Sequence, residues 1–371
     1  MDIKSIMEKS NNYLSEYACK DIDAIRFKES TNDFRTDFFR DIDKIIYSLS
    51  YTRYIDKTQV FSLKDNDHIS KRMIHVQMVS RIARTIGRAL SLNEDLIEAG
   101  ALGHDLGHVP FGHLGEYILN DISLKNGEGY FNHNVQSARL LMYVEHDGKG
   151  SNLCLQTLDA ILCHNGEIEL EKYEPVSKTK EEFMKQYQNT YTDRLGSIKL
   201  RPMTLEGCVV RISDIISYVG KDIEDAVILG VLDKSEIPDT ITKVLGTTNS
   251  SIIETIISDI INNSIGKPYI KMSKEVFTAL KDLKKFNYEH IYSKANSKED
   301  IQRYTMMFNK LFDELLKQVI NNEDTNINNI FLKNMTSEYL ENTSDKRKVI
   351  DYIAGMTDDY FINEFNTYVG E

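Results

Sequence analysis

Proline is scarce, at 5 residues in 371. A chain so poor in helix breakers can run long helices with few interruptions. Cysteine is scarce too. Cys19, Cys154, Cys163 and Cys208 form no CxxC pair and no regular spacing, so a disulfide framework is not expected. The thiols read as free and mostly buried, in a reducing compartment. No apolar run approaches the roughly 18 residues that a membrane span needs. The opening MDIKSIMEKSNNY is polar and carries no secretory signal, so the expected location is cytoplasmic. Positive charge is short as well, with 45 Lys and Arg against 57 Asp and Glu, a net charge of -12. That balance argues against bulk nucleic-acid binding, which needs a basic face. It leaves room for a small anionic substrate in a locally basic pocket. Alternating strand patterns are missing except near Lys199 or Tyr269, and there is neither an internal repeat nor a sustained heptad run.

What is present is helical periodicity, in a chain long enough to bury a large core without staples. In HISKRMIHVQMVSRIARTIGRALS, His75, Val79, Ile82 and Ile86 share one face. Asn93 is placed to cap the next helix, Asn132 to cap HNVQSARLLMYVEH, and Thr204 to cap LEGCVVRISDIISYVGKDIEDAVILG. Gly107, Pro110 and Gly112 break the pattern into a short connection. Residues 167–203 are polar, with Lys and Glu runs and two prolines, and read as a surface excursion or flap. The expected architecture is all-α. A core over 1–235 carries this flap, and a helical extension over 236–371 packs on it within the same domain. The weakest internal boundary falls near 235–250.

Five of the 9 histidines fall between positions 75 and 133. His104 and Asp105 are adjacent, so their side chains diverge by about 100° on a helix. One ion can touch both only from between them, and further ligands must come from other helices. His75 and Asp214 each sit inside apolar segments, a costly placement unless their polar atoms find partners. Two imidazoles and two carboxylates suit a divalent ion that keeps open positions. Any one of these residues taken singly is more simply a hydrogen-bonded core residue; the combination carries the signal. His68, His146 and His290 have no such context. His164, at a helix end, reads equally as a C-terminal dipole partner. Cys154 and Cys163 lack a local basic partner that would mark a reactive thiol.

These residues lie in stretches that resemble the HD-domain superfamily, and more closely its deoxynucleoside triphosphate triphosphohydrolase (dGTPase-like) branch. The stretches cover 35–61, 67–116, 131–141, 204–226 and 351–361, with HDLGHVPFGHLGE the most specific string. The resemblance implies the all-α HD fold, with metal ligands at His75, His104, Asp105 and Asp214. It implies a catalytic pair, His113 with Glu116, three residues apart on one helix face, and phosphate-site histidines at His133 and His108. Arg72 corresponds to a phosphate-contacting arginine; Arg35, Arg53 and Lys221 are further candidates. Gln59, Tyr218 and Asp222 would hold the deoxyribose, and Val60 would exclude a 2′-hydroxyl. The implied reaction is metal-dependent hydrolysis of a dNTP to deoxynucleoside and inorganic triphosphate. The implied metal is Mn²⁺ or Mg²⁺, with Fe, Co, Ni or Zn as further candidates. A homo-oligomer, dimer or hexamer, is implied as well. The alternatives are another HD phosphohydrolase (a nucleotidase, a (p)ppGpp hydrolase or a cyclic-nucleotide phosphodiesterase) and a non-catalytic nucleotide sensor. A sensor would be marked by a broken ligand set, and the set here is intact.

Overall fold

The computed structural model describes residues 12–29, 33–60, 70–165 and 169–370. They fold into helices apart from one two-stranded antiparallel ribbon, which makes the all-α expectation correct. His68 lies outside the described residues, as do 167 and 168 of the expected excursion. No helix among the described residues is long and apolar enough to cross a membrane.

The centre is built from α1 (Asp37–Ile46), α2 (Arg72–Ala89), α3 (Glu94–Gly103), α4 (Gly112–Lys125), α5 (His133–Arg139) and α6 (Leu155–Leu162). α2 packs against α3 and against a later long helix, Leu205–Val219. Its face reads as the periodicity requires, with His75, Val79, Ile82 and Ile86 all buried. Asn93 caps α3 as expected, its side chain accepting from the Asp95 and Leu96 amides. Asn132 occupies the N-cap position of α5 but makes no side-chain cap bond. The Glu116 carboxylate replaces it, accepting from the His133 amide at 2.7 Å, where the helix dipole favours negative charge.

Residues 169–203 are not a bare excursion. Strand β1 (Lys172–Tyr173) pairs with β2 (Ile270–Lys271), and between β1 and residue 203 lies α7 (Lys180–Asn189). Phe183, Tyr187 and Leu200 from this segment are buried in the main core. The polar composition hid three anchors spaced too widely to register as a pattern. Strand structure near Tyr269 is present; near Lys199 the chain makes turns instead.

α8 (Leu205–Val219), capped by Thr204, and α9 (Lys221–Ile228) were expected as one helix but part at Gly220. There a β-carbon would lie 2.5 Å from the Asn249 side chain, so the breadth of a single hydrogen lets α11 approach. The region near 235–250 forms α10 (Asp239–Leu245) and the start of α11 (Asn249–Ser264). Ile237, Ile241, Leu245 and Ile252 bury in one hydrophobic cluster with residues of α2, α3 and α8. α12 (Lys274–His290), α13 (Lys298–Ile320), α14 (Ser337–Asn342), α15 (Asp345–Ala354) and α16 (Asp358–Tyr368) complete the chain. A second cluster joins α13, α15 and α16 to α4, α5 and α6. Val76 belongs to one cluster and Val79 to the other, so the His75 end of α2 lies on the seam between the two.

Candidate active site and metal centre

At that seam three helices deliver the four residues proposed as ligands. α2 gives His75, the end of α3 gives His104 and Asp105, and α8 gives Asp214. His75 Nε2 stands 3.1 Å from Asp214 Oδ1 and 3.6 Å from Asp105 Oδ2. His104 Nε2 stands 3.4 Å from Asp105 Oδ1 and 3.8 Å from Asp214 Oδ1. The outer nitrogens of both rings are already engaged. His104 Nδ1 meets the Ala101 carbonyl at 2.6 Å, and His75 Nδ1 meets Ser217 Oγ at 3.1 Å. Ser217 donates its own proton to the Asp214 carbonyl, so its oxygen accepts from His75. Each imidazole is thereby fixed with its proton on Nδ1 and its lone pair on Nε2, the arrangement that second-sphere partners impose on metal-binding histidine. His104 Nε2 is buried with no hydrogen-bond partner. The donor set and that orphaned nitrogen fit a divalent ion.

Burial would raise the carboxyls of Asp105 and Asp214, but the imidazoles around them outweigh it and hold both below the usual range. Arg72 also donates to Asp105 Oδ2, and to the Thr58 carbonyl at 3.0 Å. Burial lowers His104, which favours the neutral ring that a metal requires.

The remaining histidines crowd against Asp105. The Gly107–Phe111 connection returns the chain so that α4 starts beside α5. Glu116 then holds two imidazoles: His113 Nδ1 at 3.1 Å from Oε2, and His133 Nδ1 at 2.8 Å from Oε1. Burial lowers the His133 pKa, but the charge of Glu116 overcomes it and the net shift is upward. Glu116 in turn is held well below its ordinary value, because those histidines outweigh its desolvation. His108 stacks on His133 with ring centroids 4.0 Å apart, and its Nε2 lies 3.4 Å from Asp105 Oδ1. Burial, then Arg72, push its pKa down. His113 is the exposed member, with 74% of its side chain open to solvent.

His164, read at first as equally a helix-terminal residue, is buried at the centre. Its Nδ1 bonds the Ile161 carbonyl at 2.7 Å and its Nε2 faces His133 Nε2 at 3.1 Å. Burial drives its pKa down to about 3. Its i–3 carbonyl bond repeats that of His104, a likeness visible in sequence only as a histidine at a helix end.

The cations expected on the phosphates are engaged elsewhere. Arg35 pairs with Asp33 and Asp43 at the surface. Arg53 donates to the Gly355 carbonyl and Ser50 Oγ, both at 2.7 Å, and ties the first stretch to the end of α15. Lys221 lies 3.0 Å from Asp225, four residues along its own helix. The structure thus brings neither Arg35 nor Arg53 nor a free Lys221 to the centre; complementary acids nearby in each case satisfy the charge. Arg72 is at the centre, but bound to Asp105.

On the sugar side, the Gln59 backbone borders Gly112 next to Arg72, and Gln59 Oε1 is buried without a partner. Val60 and Tyr218 pack at the edge of the α2–α8 cluster. Asp222 accepts from Tyr292 Oη at 2.7 Å, and burial raises its carboxyl to about 7. The sequence carried no signal for Tyr292. Nor did it for Lys57, buried under the site and donating to the carbonyls of His108 and Ala354. Of the histidines without context, His146 lies exposed and His290 stacks on Phe286. Cys163 does have a basic neighbour, Lys178 at 3.3 Å, but burial pushes the thiol pKa up and keeps it protonated.

The chain is similar to known proteins over most of its length. Residues 72–219 match the HD domain, and residues 270–367 match the phosphohydrolase-associated domain. A deoxyguanosinetriphosphate triphosphohydrolase-like protein of Caldanaerobacter subterraneus subsp. tengcongensis is 38% identical, over 98% of this chain and 95% of the relative. One from Clostridium tetani is also 38% identical, over 91% of this chain and 87% of the relative. The crystal structure of the L. monocytogenes phosphodiesterase PgpH HD domain with cyclic-di-AMP is far more distant. It shows 16% identity and a TM-score of 0.27, over 68% of this chain and 97% of that chain. Two domain matches in tandem and near full-length identity to these relatives establish that the chain belongs to the deoxyguanosinetriphosphate triphosphohydrolase-like family of HD-domain phosphohydrolases.

Proposed function

We propose that this chain hydrolyses deoxynucleoside triphosphates at the α-phosphorus, releasing deoxynucleoside and inorganic triphosphate. The observation that carries the reading is the His113–Glu116–His133 relay beside a buried two-imidazole, two-carboxylate cluster. The relatives' names, deoxyguanosinetriphosphate triphosphohydrolase-like protein, support this reading. His75, His104, Asp105 and Asp214 would hold one divalent ion, Mn²⁺ or Mg²⁺ before Fe, Co, Ni or Zn. That ion supplies Lewis-acid stabilisation of charge on the phosphate.

The rest is the work of side chains. His113 Nδ1 is fixed on Glu116, which leaves Nε2 to face the opening. Its lone pair can take the proton of an attacking water or attack phosphorus itself. In the first route a water oxygen bonds phosphorus, the bond to the 5′-oxygen breaks, and that oxygen leaves with a proton. Glu116 stabilises the imidazolium that forms. Arg72 holds Asp105 in place, and His108 and His133 line the phosphate side. Gln59, Val60, Tyr218 and Asp222 form the deoxyribose side. The reading includes a cytoplasmic homo-oligomer, dimer or hexamer.

The test is incubation with Mn²⁺ or Mg²⁺ and each of the four dNTPs, with products resolved by ion chromatography. Tripolyphosphate with deoxynucleoside is the expected pair. Pyrophosphate, orthophosphate or no turnover would reject the reading.

A further inference from the structure

We infer that the chain binds a small amphipathic monoanion, an apolar or aromatic body carrying one acidic group, in a cavity at the opposite end of α5 from His133. The inference does not depend on the reaction proposed above.

The cavity comes first. It holds about 410 Å³, within the range of roughly 300–1,000 Å³ typical of sites for small organic molecules. α5 begins at His133 and ends at Arg139, with a rise of about 9 Å between them. None of the side chains that line the cavity belongs to the metal, phosphate or sugar sets described above. Its body is apolar. Leu141, Leu153 and Leu158 are buried, and Met142, Met184 and Phe27 complete the wall. The two thioethers are flexible and polarisable, so they adapt to an irregular or aromatic guest.

One guanidinium stands within that apolar wall. Arg139 donates to the Asp351 carboxylate from Nε at 2.8 Å and from Nη2 at 2.7 Å. Its third nitrogen, Nη1, has no hydrogen-bond partner among the described residues and is not sealed in the interior. The side chain is only 13% exposed. A largely desolvated donor gains more from an acceptor than a surface donor does, and a ligand in the cavity can bring one.

Charge sets the class of ligand. Arg139 and Asp351 cancel. Of the other lining side chains, Lys28 and Lys149 are positive and Glu338 is negative, which leaves one net positive charge. That suits a single carboxylate or sulfonate placed on Nη1. A triphosphate needs a larger excess of cations, so this is not a second nucleotide pocket. The backbone of the wall is costly. His146 and Asp147 both take left-handed conformations, with φ of 55° and 58°, and Asn152 does so with φ 45°. A π-helical turn, Leu140–Val144, follows directly on Arg139. Such conformations persist where the surroundings enforce them, and they cluster where ligands bind. The enforcement is visible here. A β-carbon on Gly150 would lie 2.1 Å from the Met142 carbonyl oxygen, and the Thr336 amide donates to the Asp147 carbonyl at 2.8 Å.

The experiment uses two fluorescent probes of closely similar shape: anilinonaphthalene sulfonate, a monoanion, and phenylnaphthylamine, its uncharged counterpart. Each is titrated into the full-length protein. One saturable sulfonate site per chain is expected, bound about 10–100-fold more tightly than the uncharged probe, the worth of a charge-assisted hydrogen bond out of water. Arg139→Gln should erase that preference. Filling the cavity with Met142→Trp and Met184→Trp together should abolish saturable binding of both probes. Equal affinity for the two probes in the wild type, the absence of a saturable site, binding that survives the filled variant, or displacement of the sulfonate by saturating dGTP overturns the inference. The wild-type comparison decides even where a variant does not fold.

Discussion

His113 and Asp105 sit a few residues apart in sequence yet should fail differently when removed. His113 is exposed, and its hydrogen bond is to Glu116, which keeps His133 as a partner when His113 is lost. His113→Ala should therefore reduce turnover of the preferred dNTP by about 10²–10⁴-fold, the ordinary worth of a positioned acid–base group, with metal content and melting temperature unchanged. Loss of metal in this variant would place His113 among the ligands and refute its assigned role. Asp105 is ringed by Arg72 and five imidazoles, namely His75, His104, His108, His133 and His164. Asp105→Ala should abolish both metal binding and activity. It should also destabilise the fold by about 3–5 kcal/mol, because a buried guanidinium is left unpaired. Thermal melting alongside elemental analysis separates these effects. At this scale the sequence was informative where a residue type was out of place: His75 and Asp214 in apolar runs needed partners and found each other. It was silent on Tyr292 and Lys57, whose partners lie 70 and up to 297 residues away.

Two elements meet at the Gly107–Phe111 connection, and glycine sets how closely. A β-carbon on Gly107 would lie 2.3 Å from the His133 carbonyl oxygen and 2.3 Å from the Ser137 amide nitrogen. Backbone cannot yield as a flexible side chain can. Gly107→Ala should push α5 away, cost about 1–3 kcal/mol in stability, and reduce turnover about 10²-fold by misplacing His133. Chemical denaturation and steady-state kinetics would show both, and a variant indistinguishable from wild type would mean that this approach is not what places His133. At the other end of the connection Phe111 takes a left-handed backbone (φ 61°), unusual for a bulky residue. Its amide donates to Asp358 Oδ1 at 3.0 Å and its ring stacks on Tyr304 at 4.1 Å. Asp358→Ala leaves that buried amide without its acceptor and should cost about 1–3 kcal/mol, with lowered activity and the same metal affinity, as measured by denaturant titration and Mn²⁺ binding. Helix existence and most caps were legible because periodicity and capping are local. The fold of 169–203 and the Glu116 cap of α5 were not, because both are decided by distant parts of the chain.

Across the whole molecule, net acidity coexists with carboxylates buried far from the site. Glu206 accepts the amides of Cys19 at 2.9 Å and Asn93 at 3.1 Å, and burial raises its pKa from 4.5 to about 7. Its folded pKa exceeds its unfolded one, so the folded state keeps a proton that the unfolded state releases between those values. Stability should be greatest below pH 4.5 as far as this group is concerned, fall across that window, and be fully reduced above pH 7. The effect is on the order of 3 kcal/mol at most. Glu206→Gln should flatten the fall in melting temperature between pH 5 and pH 8; an unchanged slope would show that Glu206 is not its source. The bond between Asp358 and Phe111 bridges 247 residues of chain. At about 5–20 residues per second of synthesis, its two ends are made roughly 10–50 s apart. For most of that interval, once His164 has been made, the nascent chain carries every histidine of the centre but cannot yet fix the connection that aims them. A growing polypeptide would thus reach the cell's nucleotides with its chemistry present and its geometry withheld, and competence would arrive in one late step when the far end docks.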